Sequence, residues 1–91
     1  MPLTVLQTPT FERLFKKLKS NQQADAEDVI CTLLSDPTIG ESKKGDLQGV
    51  RVHKFRMAGQ LALLAYLHDK TTLTLLAIGT HENFYRNLKR Q

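Results

Sequence analysis

The spacing of apolar residues changes period along the chain, and each change marks an element. The opening L-T-V-L-Q (residues 3–7) alternates apolar and polar positions at period two and predicts a strand. Thr8-Pro9 follows, a helix cap with proline at the first helical position. Phe11, Leu14, Phe15 and Leu18 then recur at i, i+3, i+4 and i+7, one apolar stripe of a helix whose other side carries Arg13, Lys16, Lys17 and Lys19. After a polar break at Ser20 to Gln23, a second helix is predicted from Ala26, Val29, Ile30, Leu33 and Leu34. Asp25, Glu27 and Asp28 lie near its start, where the helix dipole favours anions, and Asp36-Pro37 ends it. Two helices joined by a few residues form an antiparallel hairpin.

Pro37 to Asp46, with two glycines and Lys43-Lys44, reads as the one long loop. From Leu47 the pattern becomes strand-like: Val50 to Arg56, Gln60 to His68 and Thr71 to Gly79, separated by turns at Met57-Ala58-Gly59 and Asp69-Lys70. This predicts a three-stranded antiparallel meander. Its second and third strands are almost wholly apolar (L-A-L-L-A-Y-L and L-T-L-L-A-I), as expected of central strands packed under the helical hairpin. Glu82 to Arg90 fits a final short helix. The order β-α-α-β-β-β-α describes a two-layer α+β fold, and 91 residues without repeats or a linker make it a single domain over residues 1–91.

Composition narrows the class. The 41% hydrophobic and 24% charged content is that of a globular domain, and Leu61 to Leu67, the longest apolar stretch, is too short to span a bilayer. With no signal-peptide pattern at the N-terminus, a cytoplasmic protein with no membrane partner is expected. The single cysteine, Cys31 in V-I-C-T-L-L, excludes an internal disulfide and is expected to be a small core residue. The net charge of +4 suits a polyanionic partner, either nucleic acid or an acidic protein.

The candidate chemistry lies in two places. The strand V-R-V-H-K-F-R (50–56) puts Lys54 and Arg56 on one face and His53 with Phe55 on the other, by strand alternation. At the end of the last strand, Gly79-Thr80-His81 leads into a segment where Tyr85 follows His81 by four residues, on the same helical face. A histidine can pass protons near neutral pH, a tyrosine hydroxyl can orient or donate, and Lys or Arg can stabilise a charged phosphorane-like transition state. Together these groups suffice to cleave RNA through its own 2′-hydroxyl. Tyr85 could instead stack on a base. A purely structural reading stands beside this one: Phe84 or Tyr85 with Leu88 pins the last helix to the sheet, and the cations form a solvated face. His53, His68, His81 and Cys31 show no metal-ligand spacing, and Gly40, Gly45 and Gly49 match no nucleotide fingerprint, so neither metal nor cofactor is expected.

Several segments, in this order, resemble the RelE/ParE superfamily of toxins from bacterial type II toxin-antitoxin systems. They are T-P-T-F-E-R-L-F-K-K-L, G-D-L-Q-G before the cationic strand, K-F-R-M-A-G leading to Tyr66, and L-L-A-I-G-T-H-E-N-F-Y. The resemblance covers essentially the whole chain and implies a small microbial-ribonuclease-like sheet with a helical hairpin on one face. RelE-, HigB- and YafQ-like members cut mRNA, usually in the ribosomal A site, whereas ParE members inhibit DNA gyrase without cutting RNA.

By position, Lys54 and Arg56 match the family's basic strand residues, and His81 with Tyr85 is similar to the His or Arg plus aromatic pair at the start of the last helix. The implied roles are His81 as general acid or base, Lys54 and Arg56 as phosphate stabilisers, Tyr85 as an orienting or stacking group and His53 as a second proton carrier. Further cations common in the ribonuclease branch, near Val52 and Leu61, are apolar here. The implied partners are an acidic cognate antitoxin, with the ribosome and mRNA, or alternatively DNA gyrase, as the target. Operator DNA would be reached only through the antitoxin.

Overall fold

A computed structural model describes residues 3–43, 49–80 and Phe84. The chain forms β1 (Thr4–Gln7), α1 (Pro9–Lys16), α2 (Ser20–Ser35), a 3₁₀ turn (Pro37–Ile39), β2 (Glu41–Ser42), β3 (Arg51–Met57), β4 (Gln60–His68) and β5 (Thr72–Thr80). The strands make one five-stranded sheet in the order β1-β5-β4-β3-β2. The predicted meander is its centre, with β3, β4 and β5 antiparallel to one another in sequence. Two outer strands enlarge it: β1 pairs parallel to β5, and β2 pairs antiparallel to β3.

Thr8 shows how the first helix is started and anchored. Its hydroxyl accepts from the Phe11 N–H at 3.1 Å, capping α1, and donates to the Leu76 carbonyl at 3.1 Å. Leu76 is the extra residue where the β4–β5 register shifts, between the pairs Ala65↔Ala77 and Tyr66↔Leu75. One side chain thus caps the helix and satisfies the bulge. The reversal into α2 is similarly local: the Gln23 amide donates to the Phe15 and Leu18 carbonyls at 3.0 and 3.3 Å, closing the end of α1.

The core lies on both sides of the sheet. On the helical side Phe11, Ala26 and Leu33 pack against Met57, Ala62, Leu64, Tyr66, Leu73, Leu75 and Ile78. On the other side Val52, Leu63, Ala65 and Ala77 are buried with Phe84. Ala62 to Tyr66 are therefore all buried, which is why β4 reads as a continuous apolar run instead of alternating.

Three expectations need correction, and the element order holds with one short addition. The polar break at Ser20 to Gln23 is the first turn of α2, since the Lys19 N–H donates to the Gln22 side chain at 2.8 Å and starts the helix there. The loop from Pro37 contains the 3₁₀ turn and β2; its Lys44 to Asp46 portion lies outside the described residues. Cys31 is exposed, on the outer side of α2, so it is not a core residue. The order β-α-α-β-β-β-α gains the two-residue β2; the predicted last helix, Phe84 apart, lies outside the described residues.

Three side chains hold the periphery. Tyr66, fully buried, donates its hydroxyl to the Pro37 carbonyl at 2.6 Å and accepts from the Gly40 N–H at 3.0 Å. Arg51 donates to the carbonyls of Thr38 and Gly40 at 3.2 and 2.8 Å, closing the same loop from outside. At the other end of β3, the Asp25 carboxylate accepts from the Ala58 N–H at 2.7 Å and ties the β3–β4 turn to α2.

Candidate functional site

The face of the sheet turned away from the helices carries the cations. On β3, Val52, Lys54 and Arg56 point to this face, while Arg51, His53 and Phe55 point to the helical side. Val52 is 2% exposed, in the apolar cluster with Phe84; Lys54 and Arg56 are exposed beyond that cluster's edge. The pairing places Lys54 opposite Leu63 and Leu63 opposite Gly79, so Lys54 and the end of β5 share one row across three strands. At normal inter-strand spacing the backbones of Lys54 and Gly79 are about 10 Å apart. Arg56 pairs with Leu61, whose side chain is 41% exposed, and its guanidinium donates to the Gly59 carbonyl of the adjoining turn at 3.3 Å.

Lys54 and Arg56 make no ion pair among the described residues, where the one salt bridge joins Lys43 to Glu41 at 3.6 Å. Two adjacent cations over a partly apolar, solvent-open surface can bind an anionic group without first breaking a salt bridge. Among the described residues no group of His, Cys, Asp or Glu is arranged to hold a metal ion.

His53 is not brought to this face. It is half-buried on the helical side, stacked on Phe55 with ring centroids 6.3 Å apart, and burial holds its imidazole below the ordinary value. Arg51 is likewise committed, to the Thr38 and Gly40 carbonyls. His81 and Tyr85 lie outside the described residues. The sequence reading did not anticipate the Asp25 tie beneath the Arg56 turn. An acidic residue in the second turn of a helix carries no signal of a partner thirty-three residues away.

These features define a class: a small α+β domain whose sheet, on the face away from the helical hairpin, presents the exposed Lys54 and Arg56 near the end of its last strand. The family model for ParE-like toxins of type II bacterial toxin-antitoxin systems matches residues 5–89, and the chain belongs to that family. It is therefore a toxin of such a system.

Among solved structures, a chain of the RelBE2 toxin-antitoxin complex from Mycobacterium tuberculosis is 25% identical, with a TM-score of 0.77 over 89% of this chain and 100% of that one. A mutant of the Escherichia coli toxin RelE in the free state is 16% identical, with a TM-score of 0.75 over 99% of this chain and 97% of that one. A chain of the intact E. coli RelBE toxin-antitoxin complex is 15% identical, with a TM-score of 0.69 over 86% and 95%. At such identities the E. coli structures show the shared fold alone. No curated protein sequence matches the chain. No helix among the described residues is long and apolar enough to cross a membrane.

Proposed function

We propose that this toxin is a ribosome-dependent mRNA endonuclease acting in the cytoplasm. The observation that carries the reading is the shared row of Lys54, Leu63 and Gly79, which sets exposed Lys54, with Arg56 two residues further along β3, near the strand end that leads into His81. In the proposed reaction a base removes the 2′-hydroxyl proton, the 2′-oxygen bonds to phosphorus, and the bond from phosphorus to the 5′-oxygen breaks as an acid protonates that oxygen. The products are a 2′,3′-cyclic phosphate and a 5′-hydroxyl.

Lys54 and Arg56 stabilise the extra negative charge on the pentacoordinate phosphorus. His81 supplies the proton transfer, and Tyr85 orients or stacks on the neighbouring base. Both of these roles come from the family resemblance. The reading assigns His53 no step, because the sheet separates it from Lys54 and Arg56. The partner that silences the toxin is an acidic antitoxin, and operator DNA is reached only through it.

A second reading has one observation in its favour. The matched family is described as ParE-like, and Val52 and Leu61 leave this face less cationic than in the ribonuclease branch. On that reading the same surface engages DNA gyrase and no RNA is cut. Primer extension on a defined message in a reconstituted translation reaction separates the two. New 5′ ends that require ribosomes support the endonuclease. Intact message with inhibited gyrase supercoiling supports the alternative.

A further inference from the structure

The turn between β3 and β4 is held at two points by side chains from different parts of the fold. Ala58 and Gly59 hold φ of 51° and 83°, the left-handed pair that closes a two-residue hairpin on Met57↔Gln60. A turn of this kind leaves the N–H of its first central residue and the carbonyl of its second without a partner in the strand ladder. Here the Ala58 N–H donates to the Asp25 carboxylate of α2 at 2.7 Å, and the Gly59 carbonyl accepts from Arg56 Nη1 at 3.3 Å. Two adjacent turn residues thus connect a helix carboxylate to a cation of the candidate site.

We infer that Asp25 is a positioning residue for Arg56: it fixes the turn whose carbonyl orients the guanidinium. The use made of Arg56, to hold phosphate, rests on the endonuclease reading. The distance between α2 and the turn is set by packing, because Ala26 and Met57, the neighbours of Asp25 and Ala58, are both fully buried in the helical-side core. Arg56 itself is exposed, and the Gly59 carbonyl is its one hydrogen-bond partner among the described residues. Committing Nη1 to that carbonyl leaves the edge formed by Nε and Nη2 open, with two N–H groups spaced to meet two phosphate oxygens.

The exposure of Ala58 separates this role from a stabilising one. With Asp25 removed, water can satisfy the Ala58 N–H, so the fold loses little. What water cannot replace is direction: a carboxylate on a packed helix holds the turn, and through it Gly59 and Arg56, in one place.

The test is single-turnover cleavage of ribosome-bound message, read by primer extension over a range of toxin concentrations. Asp25→Ala should lower the maximal rate by about threefold to thirtyfold with little change in the half-saturating concentration, because it displaces a transition-state contact and leaves the binding surface in place. Asp25→Asn keeps an acceptor oxygen and should stay within about twofold of wild type. In an Arg56→Gln background, where there is no guanidinium to orient, Asp25→Ala should change the rate by less than about twofold. A second readout needs no message: the order parameter of the Arg56 Nε–Hε bond, from nitrogen-15 relaxation, should fall in Asp25→Ala and be kept in Asp25→Asn. Far-ultraviolet circular dichroism and urea unfolding check that each variant is folded.

The inference is overturned if Asp25→Ala leaves the Arg56 order parameter unchanged, or if it slows an active protein by less than about twofold. It is equally overturned if Asp25→Ala slows cleavage by the same factor with and without the Arg56 side chain, as a purely structural tie would. An Arg56 order parameter that falls in Asp25→Ala, in a protein whose wild type cuts no message, would leave the positioning of Arg56 standing and remove the endonuclease reading.

Discussion

Replacing Tyr66 by Phe isolates one hydroxyl and should unfasten the loop between α2 and β2. That hydroxyl makes both a 2.6 Å bond to the Pro37 carbonyl and a 3.0 Å bond from the Gly40 N–H. Losing the bond to the Pro37 carbonyl costs about 1 kcal/mol net, and leaving the Gly40 amide buried without a partner costs about 1–2 kcal/mol. Gly40 is buried, so its N–H has little access to water when the hydroxyl is gone. The expected loss is about 2–3 kcal/mol, which lowers Tm by roughly 10–20 °C in a domain of this size. Urea unfolding should show the lower midpoint with an unchanged m-value, and the Gly40 amide should exchange faster with deuterium.

Gly40→Ala supplies the partner measurement. Its new Cβ would overlap the Tyr66 hydroxyl and lie 2.9 Å from Cε1 and Cζ of the ring, so the two positions cannot behave independently. In the double variant the hydroxyl overlap disappears while the ring contacts stay, and the combined loss should fall short of the sum by about 1 kcal/mol. A Tyr66→Phe protein that melts within about 2 °C of wild type, with Gly40 still protected, would refute the reasoning.

Other outcomes follow from separate parts of the fold. Lys54→Gln and Arg56→Gln should each reduce ribosome-dependent cleavage by about tenfold to a thousandfold while leaving Tm unchanged, as read by primer extension and thermal melts. Ala58 holds φ of 51° beside Gly59 at 83°, in a turn that favours residues tolerant of the left-handed region. Ala58→Gly should therefore stabilise by about 0.5 kcal/mol, the relieved strain exceeding the added chain entropy, as measured by the urea midpoint.

Burial depresses the His53 pKa, so below the ordinary value of 6.5 the unfolded chain binds the proton that the folded chain resists. Stability should fall as pH drops below 6.5, and His53→Gln should flatten that part of the urea-midpoint profile. Asp36 is held low chiefly by the Thr38 hydroxyl, and Asp69 by the Thr71 N–H. Both contribute stability that is present above about pH 4 and lost as pH falls through their lowered folded values. Asp69→Asn should reduce the acid-induced loss in the same assay.

How much of the site the sequence revealed depends on how local its determinants are. Period-two alternation alone sends Lys54 and Arg56 to one face and His53 to the other, and the structure keeps that division. The same alternation leaves open which face the helices cover, and that decides whether His53 or Lys54 meets solvent. Cys31 shows the opposite failure. Its neighbours Ile30 and Leu34 are partly buried and Leu33 fully so, but α2 is covered on one side only, and position 31 falls on the other. Gly40 gave no warning of its role, because the need for a missing Cβ comes from Tyr66, twenty-six residues further on.

Local pattern suffices for the helical hairpin, the antiparallel meander and the division of β3 residues between two faces. These depend on residue period, caps and turns that act within a few positions. Long-range pairing is what sets β1 parallel to β5, adds two residues after the 3₁₀ turn to the sheet, and brings Lys54 into one row with Gly79. Those facts depend on register between segments distant in the chain, which is fixed by packing on both sides of β4. The bulge at Leu76, tied by Thr8, is part of that register, and no local pattern around residue 76 announces it.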